Sequence, residues 1–345
     1  MKVLVTGGSG FIGSAVALHL LGAGHEVVNL DRQTYAANPA TEAELGKRPG
    51  YRLLAGDVAD PAAVAAAFAQ HRPEAVIHLA AESHVDRSID GPMPFIATNV
   101  NGTAVLLEAA RAYWNGLRDR DRFRLLHVST DEVFGSLGAG GRFDEASPYR
   151  PNSPYAASKA AADHLARAWH ATYGLPVVIS NCSNNYGPRQ FPEKLIPLMI
   201  LNALAGRPLP IYGDGLQMRD WLHVEDHAAG LAALIERGRP GETYLLGGGG
   251  DIANLTVVRA VCDALDEVRP DGLGARRRLI RHVADRPGHD RRYAVDAGKM
   301  AVEIGWRPGV SFPEGLRRTV EWYLANEDWW GPLRAPWAER LGLAS

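Results

Sequence analysis

Cysteine is nearly absent from these 345 residues. Two thiols, Cys182 and Cys262, cannot build a disulfide framework, and both stand in apolar surroundings. A reduced, cytoplasmic setting is the expectation. Charge of one sign is lacking too. Lys and Arg total 37 against 39 Asp and Glu, a net −2. No basic excess therefore offers a surface to nucleic acid or to an anionic membrane. No apolar run reaches the roughly 18–20 residues of a membrane span, and the apolar stretch before Gly7 is too short for a signal peptide. What is there is a chain of 46% apolar and 22% charged residues. It is long enough for one large domain or two modest ones around a substantial core. Glycine is the residue in surplus, 37 in all, and where the glycines fall matters more than their number.

Strand and helix patterns alternate from Val3 to Ile179. Val3–Val5 reads as a buried strand, Ser14–Gly22 as a helix and Val27–Asp31 as a second strand. Tyr51–Leu54 is a strand, Pro61–Gln70 a helix opening on proline, and Ala75–Leu79 a strand. A long helix over Pro94–Asn115, a strand over Phe123–Ser129, a helix over Tyr155–Tyr173 and a strand over Pro176–Ile179 complete the run. Such alternation predicts an α/β fold with a doubly wound parallel sheet. After Asn184, five prolines between 188 and 210 break the rhythm, and Leu209–Trp221 reads as loop-rich. Val224–Glu236 is again helical and Thr243–Leu246 strand-like. The expected division is a first domain over residues 1–185, to which the chain returns near 222–247. A smaller α/β lobe, mainly 186–345, packs against it with a cleft between them.

Gly7, Gly10 and Gly13 recur at three-residue spacing between the first strand and the first helix, where Phe11 and Ile12 open the helix. Glycine lets the backbone turn tightly and approach a ligand. The helix N-terminus then offers its N–H groups to a pyrophosphate. Asp31 ends the second strand, where a carboxylate can accept from a ribose 2′-hydroxyl. This is the pattern of a Rossmann dinucleotide site, and Asp31 favours NAD, although Arg32 could instead meet a 2′-phosphate. Asp57 and Val58 follow the third strand, and Leu79, Ala80, Ala81 and Ser83 follow the fourth. The carboxyl ends of parallel strands are where ligands sit. Asp57 is thus placed for the adenine, unless it serves as a helix cap ahead of Pro61.

Tyr155 and Lys159 stand four apart on one helix and share a face. A phenol with an ordinary pKa near 10 is a poor base at neutral pH. A lysine ammonium and a nicotinamide cation nearby would both favour the phenolate. Ser129 and Thr130 end the preceding strand and offer a hydroxyl to the same group. Directly after them come Asp131 and Glu132, a second proton-transfer station that simple alcohol oxidation does not need. Neighbours on a regular strand point to opposite faces. Both carboxylates can face one substrate only if the strand has ended and the chain turns at Asp131, which Gly135 makes credible.

With the glycine turn, Tyr155 and Lys159, the chain resembles the extended short-chain dehydrogenase/reductases. Thr130-Asp131-Glu132 is similar to the motif of the nucleotide-sugar 4,6-dehydratases among them. Residues 78–88, 182–188, 190–197, 219–227 and 285–290 carry further family marks. The resemblance implies bound NAD, regenerated in each turnover, with Thr98 and Asn185 added to the cofactor set. It implies that Tyr155 takes the proton of the sugar 4-hydroxyl as C4 is oxidised, with Lys159 and Thr130 in support. Glu132 would remove the C5 proton, Asp131 would protonate the departing 6-hydroxyl, and C6 would be reduced. Arg219 and Arg286 would approach the diphosphate, with Asn184 nearby. Ser83, Thr130, Glu193, Lys194, Leu195, Pro210, Tyr212, Asn254 and His289 would surround the remaining parts of a nucleotide-sugar substrate, Tyr212 offering a ring face to the base. A homodimer through helices near 98–115 and 155–172 is implied as well. His84, Asp86 and Arg87 read as a structural polar network rather than a metal site, and no metal is expected. The run Gly247–Gly250, with no phosphate-loop lysine, reads as a mobile loop. A 4-epimerase or decarboxylase would not need Asp131 and Glu132, and an NAD-sensing regulator would need neither those nor Tyr155 and Lys159.

Overall fold

The computed structural model describes residues 1–333. Its strands are β1 (Lys2–Thr6), β2 (Glu26–Asp31), β3 (Tyr51–Ala55), β4 (Ala75–His78), β5 (Arg124–Thr130) and β6 (Val177–Cys182). They continue as β7 (Asn184–Tyr186), β8 (Leu209–Tyr212), β9 (Met218–His223), β10 (Thr243–Leu246), β11 (Asp251–Ala253) and β12 (Ile280–Val283). Seven of them form one sheet in the order β10-β6-β5-β4-β1-β2-β3, and every neighbouring pair is parallel. Helices cover both faces, so the strands are apolar throughout rather than alternating. Val3, Leu4 and Val5 in β1, and Ala75, Val76 and Ile77 in β4, are all buried.

One face packs on the helices Phe11–Gly22 and Val224–Arg237, through Val16, Leu20, Leu231 and Leu234. The other packs on Pro61–His71, Thr103–Asn115 and Pro154–Tyr173, through Phe68, Leu106, Leu107 and Ala166. The strand order reverses between β1 and β4, which opens a crevice at their carboxyl ends. A second core gathers Ile196, Ile200, Leu209, Val257, Val261, Leu316 and Tyr323. Around it lie the three-stranded sheet β11-β9-β7 and the pair β12-β8. After β10 joins the large sheet, the chain visits the first core again through Met300, Ile304 and Trp306, a return that the hydrophobic pattern did not announce.

Three local expectations need correction. Leu209–Trp221 is not mainly loop: β8 pairs with β12 and β9 lies between β7 and β11. Pro210 is tolerated because β8 belongs to a two-stranded ribbon, where a missing N–H disrupts little. The helix expected over 94–115 is a short turn, Met93–Phe95, then a π-helical stretch over Ile96–Gly102, then Thr103–Asn115. Gly102 sits at that irregularity, where an added Cβ would come 2.7 Å from Val58 Cγ1. The glycine run at 247–250 is pinned at one end. Gly248 N–H donates to Asp220 Oδ1 at 2.9 Å, and a Cβ there would lie 1.9 Å from the Trp221 carbonyl. Among the described residues no helix is long and apolar enough to cross a membrane.

Candidate active site

A cleft of about 310 Å³ follows the carboxyl ends of the large sheet. At one end its wall includes Gly7, Gly10, Phe11, Ile12, Gly13, Asp31, Asp57, Val58, Leu79, Ala80, Ala81, Ser83 and Thr98. At the other it includes Thr130, Asp131, Glu132, Tyr155, Lys159, Asn184, Asn185, Glu193 and Lys194. The first end has the form of a dinucleotide cradle. Gly7 has φ +75°, and a Cβ there would sit 2.7 Å from Ala80 N; at Gly13 it would sit 2.1 Å from the Gly7 carbonyl. Gly10 caps the helix without a side-chain hydrogen bond, and the first turn holds no acidic residue. The first N–H groups therefore remain available to an anion. Asp31 is steadied by Ser9 N at 3.0 Å and Gln33 N at 2.7 Å. The residues present thus fit NAD. Arg32, the residue that left a 2′-phosphate open, pairs with Asp57 at 3.2 Å and with Glu82. Asp57 accepts from Ala59 N, while the cap of the helix at Pro61 is Asp60, which accepts from Ala62 N.

The catalytic end is built by the way β5 stops. Thr130 is the last strand residue, and Asp131–Phe134 forms a 3₁₀ turn capped by Thr130 Oγ1, which accepts from Glu132 N at 3.2 Å. Gly135, with φ +81°, closes the turn; a Cβ there would lie 2.3 Å from the Arg150 carbonyl. The turn, not the strand, therefore carries both carboxylates. Thr130 Oγ1 also donates to Asp131 Oδ1 at 3.3 Å, and the Thr130 side chain opposes the rise of the Tyr155 phenol. Lys159 Nζ donates to the Val128 carbonyl at 2.8 Å.

The two carboxyls differ electrically. Asp131 is 1% exposed, its Oδ2 has no protein partner, and burial followed by the neighbouring Glu132 pushes its pKa well above the usual range. Burial also raises Glu132, but the Arg286, Arg219 and Lys194 cations oppose the rise. Adjacent carboxyls with surroundings this different suit an acid and a base. Burial and Glu132 drive the Tyr155 phenol well above its ordinary value, and burial lowers Lys159. The protein's own charges therefore favour the neutral phenol over the expected phenolate. Behind this group lies a buried network that the sequence reading missed. Asn181 Nδ2 bridges the Thr130 carbonyl at 3.0 Å and Asp163 Oδ2 at 3.2 Å. Tyr149 donates to Asp163 Oδ2 at 2.7 Å, and His127 Nε2 meets Asp163 Oδ1 at 3.0 Å. Its signal was Asp163, four residues after Lys159 on the same helical face.

The expected substrate residues divide. Ser83, Thr130, Asn184, Glu193 and Lys194 line the cleft, and Lys194 Nζ donates to the Ser83 carbonyl at 2.8 Å. Leu195, Pro210, Tyr212, Arg219, Asn254, Arg286 and His289 are not in that wall. Arg286 pairs with Asp86 at 2.9 Å, Tyr212 donates to Asp86 at 3.3 Å, and Tyr212 meets the His289 ring edge-on at 6.0 Å. Arg219 donates to the Asp290 carbonyl at 2.9 Å and stacks on Tyr293. Asn254 begins the helix Asn254–Val268, with its Oδ1 buried and without a protein partner. Leu195 packs against the second core. Glu193 binds Arg87 at 3.1 Å and the Tyr35 hydroxyl at 3.2 Å. Asp86 and Arg87 thereby join a network that spans both lobes. Arg32, already raised for a 2′-phosphate, and Glu82, within the segment expected beside the cofactor, also line the cleft, as do Gln190 and Phe191, to which the sequence reading gave no role in the wall.

A parallel sheet with a glycine cradle at its switch point, and Tyr155 and Lys159 beside Thr130, define a nucleotide-dependent enzyme of the extended short-chain dehydrogenase/reductase class. The profile of the GDP-mannose 4,6 dehydratase family matches residues 4–319, and the chain belongs to that family. It is 56% identical over 347 residues to a probable dTDP-glucose 4,6-dehydratase of Sinorhizobium fredii, covering 99% of both chains. It is 56% identical over 329 residues to the dTDP-glucose 4,6-dehydratase of Xanthomonas campestris, covering 94% of both. Among solved structures, the dTDP-glucose 4,6-dehydratase DesIV of Streptomyces venezuelae with NAD bound has TM-score 0.88 and 48% identity, over 97% of this chain and 100% of that one.

Proposed function

We propose that this protein is a dTDP-glucose 4,6-dehydratase, a hydro-lyase that forms dTDP-4-keto-6-deoxyglucose with NAD held throughout. The observation that carries the reading is the pair Asp131 and Glu132 on one turn, directly after Thr130 and facing the cleft that holds Tyr155 and Lys159. The curated relatives and the NAD-bound neighbours support the substrate and the cofactor. Bound NAD+ supplies a hydride acceptor for C4 and, once reduced, a donor for C6. Tyr155 accepts the 4-hydroxyl proton, with the Thr130 hydroxyl in support and Lys159 adding positive charge. The C4 ketone acidifies C5–H, and Glu132 removes that proton. Asp131, whose burial favours its protonated form, delivers a proton to the departing 6-hydroxyl. Arg219, Arg286 and Lys194 supply cations for the diphosphate and keep Glu132 ionised. Residues 1–185, with 222–247, hold the cofactor, and the rest of the chain mainly holds the nucleotide sugar. The protein works as a homodimer through the helices Thr103–Asn115 and Pro154–Tyr173, and light scattering at micromolar concentration should give twice the chain mass. Its location is cytoplasmic, in keeping with two unpaired buried thiols and a nucleotide-sugar substrate. Incubation with dTDP-, UDP- and GDP-hexoses in deuterated water, read by NMR, tests the whole reading. The expected product from dTDP-glucose has a new 6-methyl group and deuterium at C5. A C4 epimer, or turnover without a 6-deoxy product, overturns it.

A further inference from the structure

Asn185 is held on several sides at once. Its Nδ2 donates to the Ser183 carbonyl at 3.0 Å and to Cys182 Sγ at 3.5 Å, and its backbone carbonyl accepts from Gln190 Nε2 at 2.9 Å. A carbonyl can face only the NH₂ of an amide, so the orientation of Asn185 is fixed. Its Oδ1 consequently points the other way and meets His227 Nδ1 at 2.9 Å. An amide oxygen only accepts, so Nδ1 carries the imidazole proton. His227 lies on the helix Val224–Arg237, is 0% exposed, and its Nε2 has no protein partner. Packing alone does not call for histidine there, because an apolar side chain would fill the space without an unpaired nitrogen. Burial pushes the ring's pKa down to about 3, so it stays neutral and keeps this tautomer throughout the physiological range.

Asn185 lines the catalytic end of the cleft. The neighbouring Cys182 thiol feels both Asp131 and Lys159. One N–H of the Asn185 amide is satisfied by a carbonyl, while the other has only a sulfur, which is a weak acceptor. We propose that His227 is a positioning residue, whose Nδ1–H locks the Asn185 amide so that this second N–H is presented to the nicotinamide end of bound NAD. The inference rests on the NAD reading above and adds a residue outside the cleft wall to it.

The test compares His227→Leu, His227→Asn, Asn185→Ala and the double variant His227→Leu/Asn185→Ala. An asparagine at 227 can return a donor near the position of Nδ1, whereas leucine cannot. Each holoenzyme is assayed for the rate of NAD release, for kcat and KM, and for Tm. His227→Leu should release NAD about tenfold faster and lose kcat to a similar degree, the scale of one hydrogen bond. Its Tm should not fall. His227→Asn should recover most of both losses. The double variant should be no worse than Asn185→Ala alone, because one residue acts through the other. Parental release and kcat in His227→Leu, or losses that multiply in the double variant, would overturn the role of His227. Parent enzyme that retains no NAD would overturn the cofactor reading on which the role depends.

Discussion

Asp131 and Glu132 are adjacent, chemically alike and electrically unlike. The difference suits the proposed tasks: burial and Glu132 raise Asp131 against Arg219 as the opposing cation, whereas Arg286, Arg219 and Lys194 all oppose the rise of Glu132. Glu132→Gln should leave sugar oxidation largely intact and slow elimination by about 10²–10⁴-fold, the usual worth of a general base. Reduced cofactor should then accumulate on the enzyme and be visible by its absorbance. The pH profile follows from the same shifts. Elimination should fall at low pH as the raised Glu132 protonates, and fall at high pH as Asp131 loses its proton. Stability has its own sign. A carboxyl raised in the folded state favours folding below its unfolded pKa, and that contribution is lost as pH rises through the folded value. Asp131→Asn should therefore be a poor catalyst that melts higher than the parent, with the gain larger at about pH 8 than at about pH 5. Equal melting shifts at both values would contradict the assignment.

At the scale of elements, the site depends on where β5 ends. Had the strand continued past Thr130, Asp131 and Glu132 would have faced opposite sides of the sheet. The 3₁₀ turn brings them together, and Gly135 lets the chain leave it. Gly135→Ala must hold φ +81° and place a Cβ 2.3 Å from a backbone carbonyl. It should cost about 1–3 kcal/mol of stability or more, read by denaturant unfolding, and reduce kcat well beyond its effect on KM. The helix Pro154–Tyr173 illustrates a different degree of legibility. Its four-residue spacing displayed Tyr155 and Lys159 directly, and Ser153 and Gly174 mark its ends. The partners of Asp163 on that helix were not legible, because His127 and Asn181 reach it from two neighbouring strands.

Across the whole molecule, the segment 32–46 ties the two lobes together over the cofactor cleft. Thr34, Ala36 and Ala37 line the cleft. Glu44 receives both of its hydrogen bonds from Arg189, at 2.8 and 3.0 Å. Trp329 donates to Thr41 at 2.7 Å, and its carbonyl accepts from Asn38 at 2.9 Å. The Glu44–Arg189 pair is partly exposed, and such pairs contribute about 0.2–1 kcal/mol. Glu44→Gln should accordingly raise the rate of NAD loss by about two- to fivefold with little change in Tm, as followed by gel filtration and cofactor content. An unchanged release rate would remove this pair from any part in holding the cofactor.

Local chemistry was enough to read the first half of the chain. Backbone freedom at Gly7, Gly10 and Gly13, the carboxylate at the end of β2, and a phenol and an amine one helical turn apart are requirements met within a few residues. The alternation of elements disclosed the parallel sheet for the same reason, since burial on both faces makes each strand continuously apolar. The second lobe was less legible. Prolines masked β8 and β9, and the strands there are held by partners such as β12, more than sixty residues away in sequence. Two features lay with the tertiary structure. The family resemblance already implied base and acid roles for Glu132 and Asp131, but their unequal surroundings come from cations at residues 194, 219 and 286, and the setting of Asn185 comes from His227. A charge acts through space and a hydrogen bond demands contact, so neither can be read from the order of residues until the chain has brought them together.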